Sequence, residues 1–480
     1  MGPTWSTRTM QDVELAEDGA DARPDARSGP AAGDPAASST IGMWPALRRW
    51  WPIAVTVALV VMAASVVIDR RDAERSDRIA AVAGMIRPLG SAPSVLWRAS
   101  RSAVDDVLAA GGALVVVGPR QDVWRATSLE PATGVVRWSR VLAPVEPAGT
   151  EGGGVLCPHT GADVGAVVVC VVTEPRPVYT DGNGAPGGTR TVTNRVVALG
   201  AADGAVLGQW TFTGTAIAVA RAGDDVVVAA TDTDLFVEIA RRGALTGGVV
   251  WQHRSGEAET TAGAARVEVG PRLVLLTGAT SAVLDTAAGT VVFSEPSLSY
   301  VLTAALGDRF VTWSTAHAGM LHDATGAPEF AVPGFPAEQL ANDGSAPDVL
   351  VIDQGRSIVG DDATTGRQLW SAQTALDPVL TVDHQLVLAG GPRIGVLDLR
   401  TGAVVWSRAG GESIVGCPLS DGALVVAMAT TVDGSAQLEA FGLRDGVPYW
   451  SLALPDDVRS VSAQGGHLLV RTADGVVALG

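Results

Sequence analysis

Three cysteines, six histidines and one acidic loop hold the side chains of this sequence best suited to chemistry. Cys157 and Cys170 flank an apparent hairpin, VLCPHTGADVGAVVVCVV. Antiparallel neighbours bring Cβ atoms close to disulfide distance, so this pair is expected to be bonded. Such a bond belongs outside a reducing cytoplasm. Cys417 recurs in a similar Cys-Pro setting, IVGCPLSDGALVV, but valines stand opposite it, so it is expected to be buried and free. His159, His253, His317, His322, His384 and His467 form no local metal motif, and His317 and His322 do not share a face of either a helix or a strand. Asp181 and Asn183 lie in EPRPVYTDGNGAPGGTRTVTN (174–194) without the full spacing of a calcium loop. That stretch reads as a surface excursion on a rigid scaffold. No G-x-S-x-G, H-E-x-x-H or phosphate-loop pattern occurs. We therefore assign no catalytic, cofactor-binding or metal residue.

These residues must be positioned by a long, glycine-rich chain. It has 480 residues, 57 of them Gly, which with frequent Val favours strands broken by turns over long helices. The formal charge is −17 and all 34 basic residues are Arg. An acidic chain argues against nucleic acid, which rewards a basic stripe.

Three regions precede the bulk of the strands. Residues 1–43 are rich in Ala, Gly, Pro, Ser and Asp without apolar periodicity, and read as a disordered acidic tail. Within 44–71, the run WWPIAVTVALVVMAASVVI (50–68) carries no charge and is long enough to cross a bilayer as a helix. Trp44, Trp50 and Trp51 stand where an interfacial aromatic belt would. A cleaved signal peptide fits less well, because the segment before the apolar run is too long. A buried soluble helix also fits less well, because charges close both ends abruptly. Residues 72–92 read as a linker or short helix.

From residue 93 onward one phrase recurs: a turn glycine, β-formers, then an aromatic residue. Gly134 leads to Trp138, Gly247 to Trp251, Gly289 to Phe293, Gly326 to Phe330, Gly366 to Trp370, Gly402 to Trp406 and Gly446 to Trp450, all at a spacing of four. Gly204 leads to Trp210 with two extra residues. A period of roughly forty residues is a propeller signature. Within 377–409 four short strands are legible, and four antiparallel strands arranged radially make one blade. The aromatic side chains are expected to fill the wedges between blades. The last residues, HLLVRTADGVVALG, end without a fourth strand, and SVLWRAS (94–100), with Trp97, is expected to supply it and clasp the ring. Eight complete units plus this shared one sum to nine. Propellers usually have four to eight blades, and we expect eight.

The segments RVVALGAADGAVLGQW (195–210), DDATTGRQLW (361–370) and RIGVLDLRTGAVVW (393–406) resemble the quinoprotein-like, or PQQ-like, β-propeller repeat family. The resemblance covers about 93–480 and matches a membrane-anchored, actinobacterial-type architecture. It implies an all-β propeller. The family contains quinone-dependent dehydrogenases, which commonly use a vicinal Cys–Cys disulfide, a Trp floor and calcium. It also contains non-enzymatic scaffolds, such as a periplasmic lipoprotein that helps to assemble outer-membrane proteins. No two cysteines are adjacent here, so the resemblance implies the fold without quinone binding.

The sequence thus leads to a non-enzymatic, single-pass membrane propeller that binds an envelope protein or surface ligand, is monomeric and carries no cofactor. A ligand-sensing propeller and a quinone-dependent oxidoreductase are the alternatives. Arg70, Arg71, Arg75 and Arg78 after the apolar run outnumber Arg48 and Arg49 before it, which favours an internal propeller. The expected disulfide and the habit of the family favour an external propeller with a cytoplasmic N-terminus, and we adopt that orientation.

Overall fold

In the computed structural model, RIGVLDLRTGAVVWSRA becomes two antiparallel strands, Arg393–Asp398 and Val404–Ala409. Asp398 shapes the turn between them. Its Oδ1 accepts from the Arg400 and Thr401 amides and from the Thr401 hydroxyl. Gly402 follows at φ 68°, a conformation that costs glycine little. One extra residue then enters the outer strand, where the register moves from Val396↔Trp406 to Leu397↔Val404. A bulge of this kind re-aims the next side chain, which here is Trp406. With Asp377–Val382 and Gln385–Gly390 the two strands form a four-stranded meander.

The structure describes residues 77–480 except 101–103, 146–149, 152–153, 160–161, 174–175, 178–191, 259–264, 279, 296–300, 315–318 and 410–412. Before residue 77 it describes Thr56, Met62, Arg70, Arg71 and Glu74, all helical. The expected tail (1–43), nearly all of the apolar run (50–68), Asp181, Asn183 and His317 therefore lie outside the described residues. The chain divides into two units, Met1–Val67 and Ile68–Gly480. Among the described residues no helix is long and apolar enough to cross a membrane.

The second unit is a β-propeller. Its blades span 106–144, 154–213, 215–258, 266–295, 302–332, 335–373, 377–409 and 413–453. One more blade joins Val458–Gln464, His467–Thr472 and Gly475–Leu479 to Val95–Ser100 from the start of the domain. The described residues thus form nine blades, which corrects the expected eight. Each Gly-to-aromatic unit is a separate blade, and the two chain ends make the ninth. The packing shows why nine close. Nine buried apolar clusters each join two consecutive blades. The closing cluster sets Trp97, Leu469 and Val476 of the ninth blade against Val107 and Leu114 of the first.

The aromatic residues seat each blade on the next. A Cβ on Gly446 would lie 2.6 Å from the Trp406 ring, and one on Gly402 would lie 2.7 Å from the Trp370 ring. The turn glycine is thus required twice, for its backbone angle and for the indole above it. Each of these indoles also donates across the wedge: Trp370 Nε1 to Leu399 O (2.7 Å) and Trp406 Nε1 to Leu443 O (2.8 Å). Trp97, Trp138, Trp210 and Trp251 do the same to Pro131, Ala201, Ala244 and Thr286. Phe330 lies over Gly366 but has no N–H, and there Arg309 Nη1 donates to Ala363 O at 2.6 Å instead. Phe293 departs further. It meets Phe310 and His322 at ring distances of 5.9 and 5.8 Å, while the space over Gly326 is taken by the Val292 carbonyl. Trp450 faces the ninth blade, whose third and fourth strands no turn connects. Its Nε1 is buried and finds no acceptor among the described residues.

The first-to-second and third-to-fourth turns share one end of every blade, as Leu399 N→His384 O and Leu443 N→Ala423 O show. We call this the turn end, and the opposite one the loop end. A strap crosses the turn end before the first blade begins. Residues 77–80 are helical, Met85 and Ile86 are fully buried, and Ile86 N, Arg87 N and Leu89 N bond to Ser420 O, Gly466 O and Asp421 Oδ2. Arg87 also donates to His467 Nε2 at 3.3 Å. Burial, and next the Arg87 charge, push the His467 pKa down to about 4, against a smaller opposing pull from Glu130 of the first blade.

Two measurements check these contacts. Replacing Trp406 by Phe strands the Leu443 carbonyl, whereas replacing Trp450 by Phe removes an N–H that already lacks a partner. Urea unfolding should therefore show the first variant losing more stability than the second, by roughly 1 kcal/mol or more. Equal losses would count against the indole bond as a contributor. For His467 the folded pKa lies below the ordinary 6.5, so its contribution is present above pH 6.5 and lost as the pH falls toward 4. Hydrogen exchange at the Ile86, Arg87 and Leu89 amides should accelerate beyond the intrinsic rate in that window, and His467→Gln should abolish the step. An identical step in His467→Gln would place the titration elsewhere.

Candidate functional site

The second blade departs from the regular meander at its inner edge. Its first strand is only Gly154–Leu156, and the register Leu156↔Val171 puts the next residue, Cys157, opposite Cys170. The two are bonded and buried. Beyond the bond the chain leaves its own blade and runs along the inner strand of the first, Asp106–Ala110. His159 Nε2 lies 2.9 and 3.1 Å from the two Asp106 carboxylate oxygens, and Val164 N donates to Ala109 O. Asp163 then accepts from the Gly111 and Gly112 amides at 2.9 and 2.8 Å. The disulfide thus fixes the point at which a channel-side segment crosses from one blade to another. Beside it, burial and the neighbouring Asp106 raise the Asp105 pKa.

A second irregular place lies at the seventh and eighth blades. The first strand of the eighth is split into Ser413–Ile414 and Leu419–Ser420. Gly416 between them has φ 74°, and Cys417 is free and exposed. This corrects the expectation that Cys417 is buried, since the residue falls in the interruption and not in the sheet. A cavity of about 290 Å³ opens there, bordered by Glu338, Asp377, Val379, Ile414, Gly416 and Cys417.

The remaining candidate groups are dispersed. His322 stacks on Phe310 at 4.8 Å and bonds to Thr312 Oγ1 and Gly326 O, a structural histidine inside the fifth blade. His384 occupies a left-handed turn position. His253 lies in the outer strand Val249–Ala258, where burial lowers its pKa. Asp361 is buried, its Oδ1 meets no partner among the described residues, and burial raises its pKa. Among the described residues no three His, Cys, Asp or Glu side chains come together as a metal site. The turn aspartates do have work, but it is local. Hydrogen bonds from Thr365 hold the Asp362 carboxyl below its usual range, and those from Thr431 and Ser435 bring Asp433 down to about 2.

Sequence reading singled out the cysteines but missed the His159–Asp106 pair, Arg309 and the Met85–Ile86 strap. The last left a trace, an apolar pair in AVAGMIRPL between polar stretches. The other two join residues from different blades, which no local pattern records. A thiol count checks the crossing point. Protein denatured without reductant should take up one maleimide, at Cys417, and three after reduction. Three additions without reductant would eliminate the Cys157–Cys170 bond.

The family described as outer membrane protein assembly factor BamB matches residues 390–479, which span the end of the seventh blade, the whole of the eighth and the three C-terminal strands of the ninth. No curated protein matches the chain. Solved structures are similar at the level of the propeller. BamB from Moraxella catarrhalis is 16% identical, with 81% of this chain and 99% of that one covered and a TM-score of 0.46. The C-terminal WD40 domain of Sif2 is 12% identical, with 82% and 99% covered and a TM-score of 0.45. A europium-containing methanol dehydrogenase is 12% identical, with 75% and 86% covered and a TM-score of 0.36. None of these likenesses transfers an activity or a residue role to this chain.

Proposed function

We propose that the chain is a membrane-tethered, non-enzymatic propeller that binds a protein or surface ligand in the cell envelope, with residues 44–71 as its anchor and residues 1–43 as a cytoplasmic tail. The observation that carries this reading is how the ring uses its polar and aromatic side chains. The indoles that could stack a cofactor are laid over turn glycines and bonded to carbonyls, and the repeat aspartates cap their own turns. Such a ring is a rigid frame, and recognition falls to the connections at its loop end. The buried Cys157–Cys170 bond supports a location outside the cytoplasm. The match of 390–479 to a family described as an assembly factor supports a scaffold role. The chain ends complete the ninth blade themselves, so a monomer is a finished fold.

Sidedness tests the reading. In intact cells carrying a Cys417→Ser chain with the disulfide retained, an impermeant maleimide should label Gly184→Cys and not Ala20→Cys. Labelling at position 20 alone would reverse the orientation and remove the envelope role.

A further inference from the structure

The outer strands carry a feature that the packing of the ring does not use. Within three residues after most of the turn glycines the blade presents a β-branched or other large apolar side chain to solvent. Val135, Val206, Val249, Val291, Val404 and Tyr449 are all exposed, Val404 to 65% and Val135 to 63%. Because each follows a third-to-fourth turn, they stand at the turn end, on the outer corner of their blades. Most of the large apolar side chains that the described residues leave exposed belong to this corner. Among the described residues the loop end has no counterpart repeated from blade to blade. Packing does not require these residues, since the aromatic that follows one to four positions later does the seating. A circle of apolar side chains at one end of a cylinder, spread over most blades, fits a planar apolar phase. A partner protein of ordinary size covers a limited patch and reaches only some of them.

The path of the chain points to the same end. Ile79 and Ala80 of the strap lie against Gly422 and Gly466, at the first-to-second turns of the eighth and ninth blades. The sequence between the apolar run 50–68 and Asp77 is short, and fully extended it reaches only about 28 Å. That interval and the residues just after it carry Arg70, Arg71, Arg75 and Arg78 against Asp69, Asp72, Glu74 and Asp77, so the tether itself has no net charge and the apolar corner carries the argument.

We propose that the turn end of the propeller rests on a lipid bilayer, with the apolar corner of its outer strands in the headgroup layer. The loop end then faces away from the membrane and is the end free to receive a partner. This inference rests on the reading of residues 50–68 as an anchor.

The test uses the full chain reconstituted into phosphatidylcholine–phosphatidylglycerol vesicles containing brominated lipid. Bimane is attached to Val404→Cys, Tyr449→Cys or Val432→Cys in the Cys417→Ser background. Val432 is 85% exposed and lies between the second and third strands of the eighth blade, at the loop end. Bromolipid should quench the probes at 404 and 449 at least twofold and leave the probe at 432 unchanged. A chain that floats with the vesicles after a carbonate wash but shows no quenching at 404 and 449, or quenching at 432 instead, overturns the docking while leaving the anchor intact. Shielding of 404 from aqueous iodide without bromolipid quenching assigns the corner to a second copy and also overturns the proposal. A chain that does not float removes the anchor reading and the docking together.

Discussion

An indole laid over a left-handed glycine, its N–H on the carbonyl three residues before that glycine, is the contact on which the ring depends. It joins three local features into one inter-blade bond. The tight turn presents the carbonyl, the glycine leaves room for the ring, and the bulge before the aromatic points it across the wedge. Burying a side chain of this size stabilises by roughly 3–5 kcal/mol relative to alanine. Where the aromatic is Phe330, an arginine from within the same blade supplies the missing donor. The carbonyl's need for a proton is therefore a stronger constraint than the identity of the ring.

A ring built from such contacts has one weak seam. The ninth blade borrows its outer strand from the start of the domain, so no turn links its third and fourth strands, and Trp450 goes without its carbonyl. The strap lies across this region. Its buried Met85 and Ile86 bond to the turns of the eighth and ninth blades, and Ile86 packs within the core between them. The covalent entry of the chain and the closure of the ring are thus stabilised by the same few residues.

The two ends of the propeller are chemically unlike. The turn end is occupied by Asp-capped turns, the strap and an exposed apolar corner. The loop end bears the second-to-third and fourth-to-first connections. The inner edges of the second, sixth and eighth blades are where strands break and segments depart toward neighbouring blades, as Ala341–Asn342 does in pairing with the seventh, and the only disulfide among the described residues marks one such departure. An architecture that commits its repeated side chains to holding the blades leaves recognition to the parts that do not repeat.

The repeated Gly-to-aromatic spacing was enough to indicate strand order and the use of both ends of the domain in one blade, but not the different surroundings of Phe293 and Trp450. The shared blade is legible because the last unit lacks a fourth strand that the start of the domain supplies, and strand order within a blade depends on neighbours within about forty residues. Cys157 and Cys170 were legible as a pair for the same reason, since they face each other across one hairpin. Blade number was present in the sequence as a count of nine units. The usual range of four to eight blades does not weigh how nine inter-blade cores close on one another. What only the tertiary structure decided lies between blades: the second role of the turn glycines as seats for indoles, the donation by Arg309, the His159–Asp106 pair, and the exposure of Cys417. Those depend on residues far apart in the chain whose meeting is set by the angle between sheets, and a linear pattern carries no record of that angle.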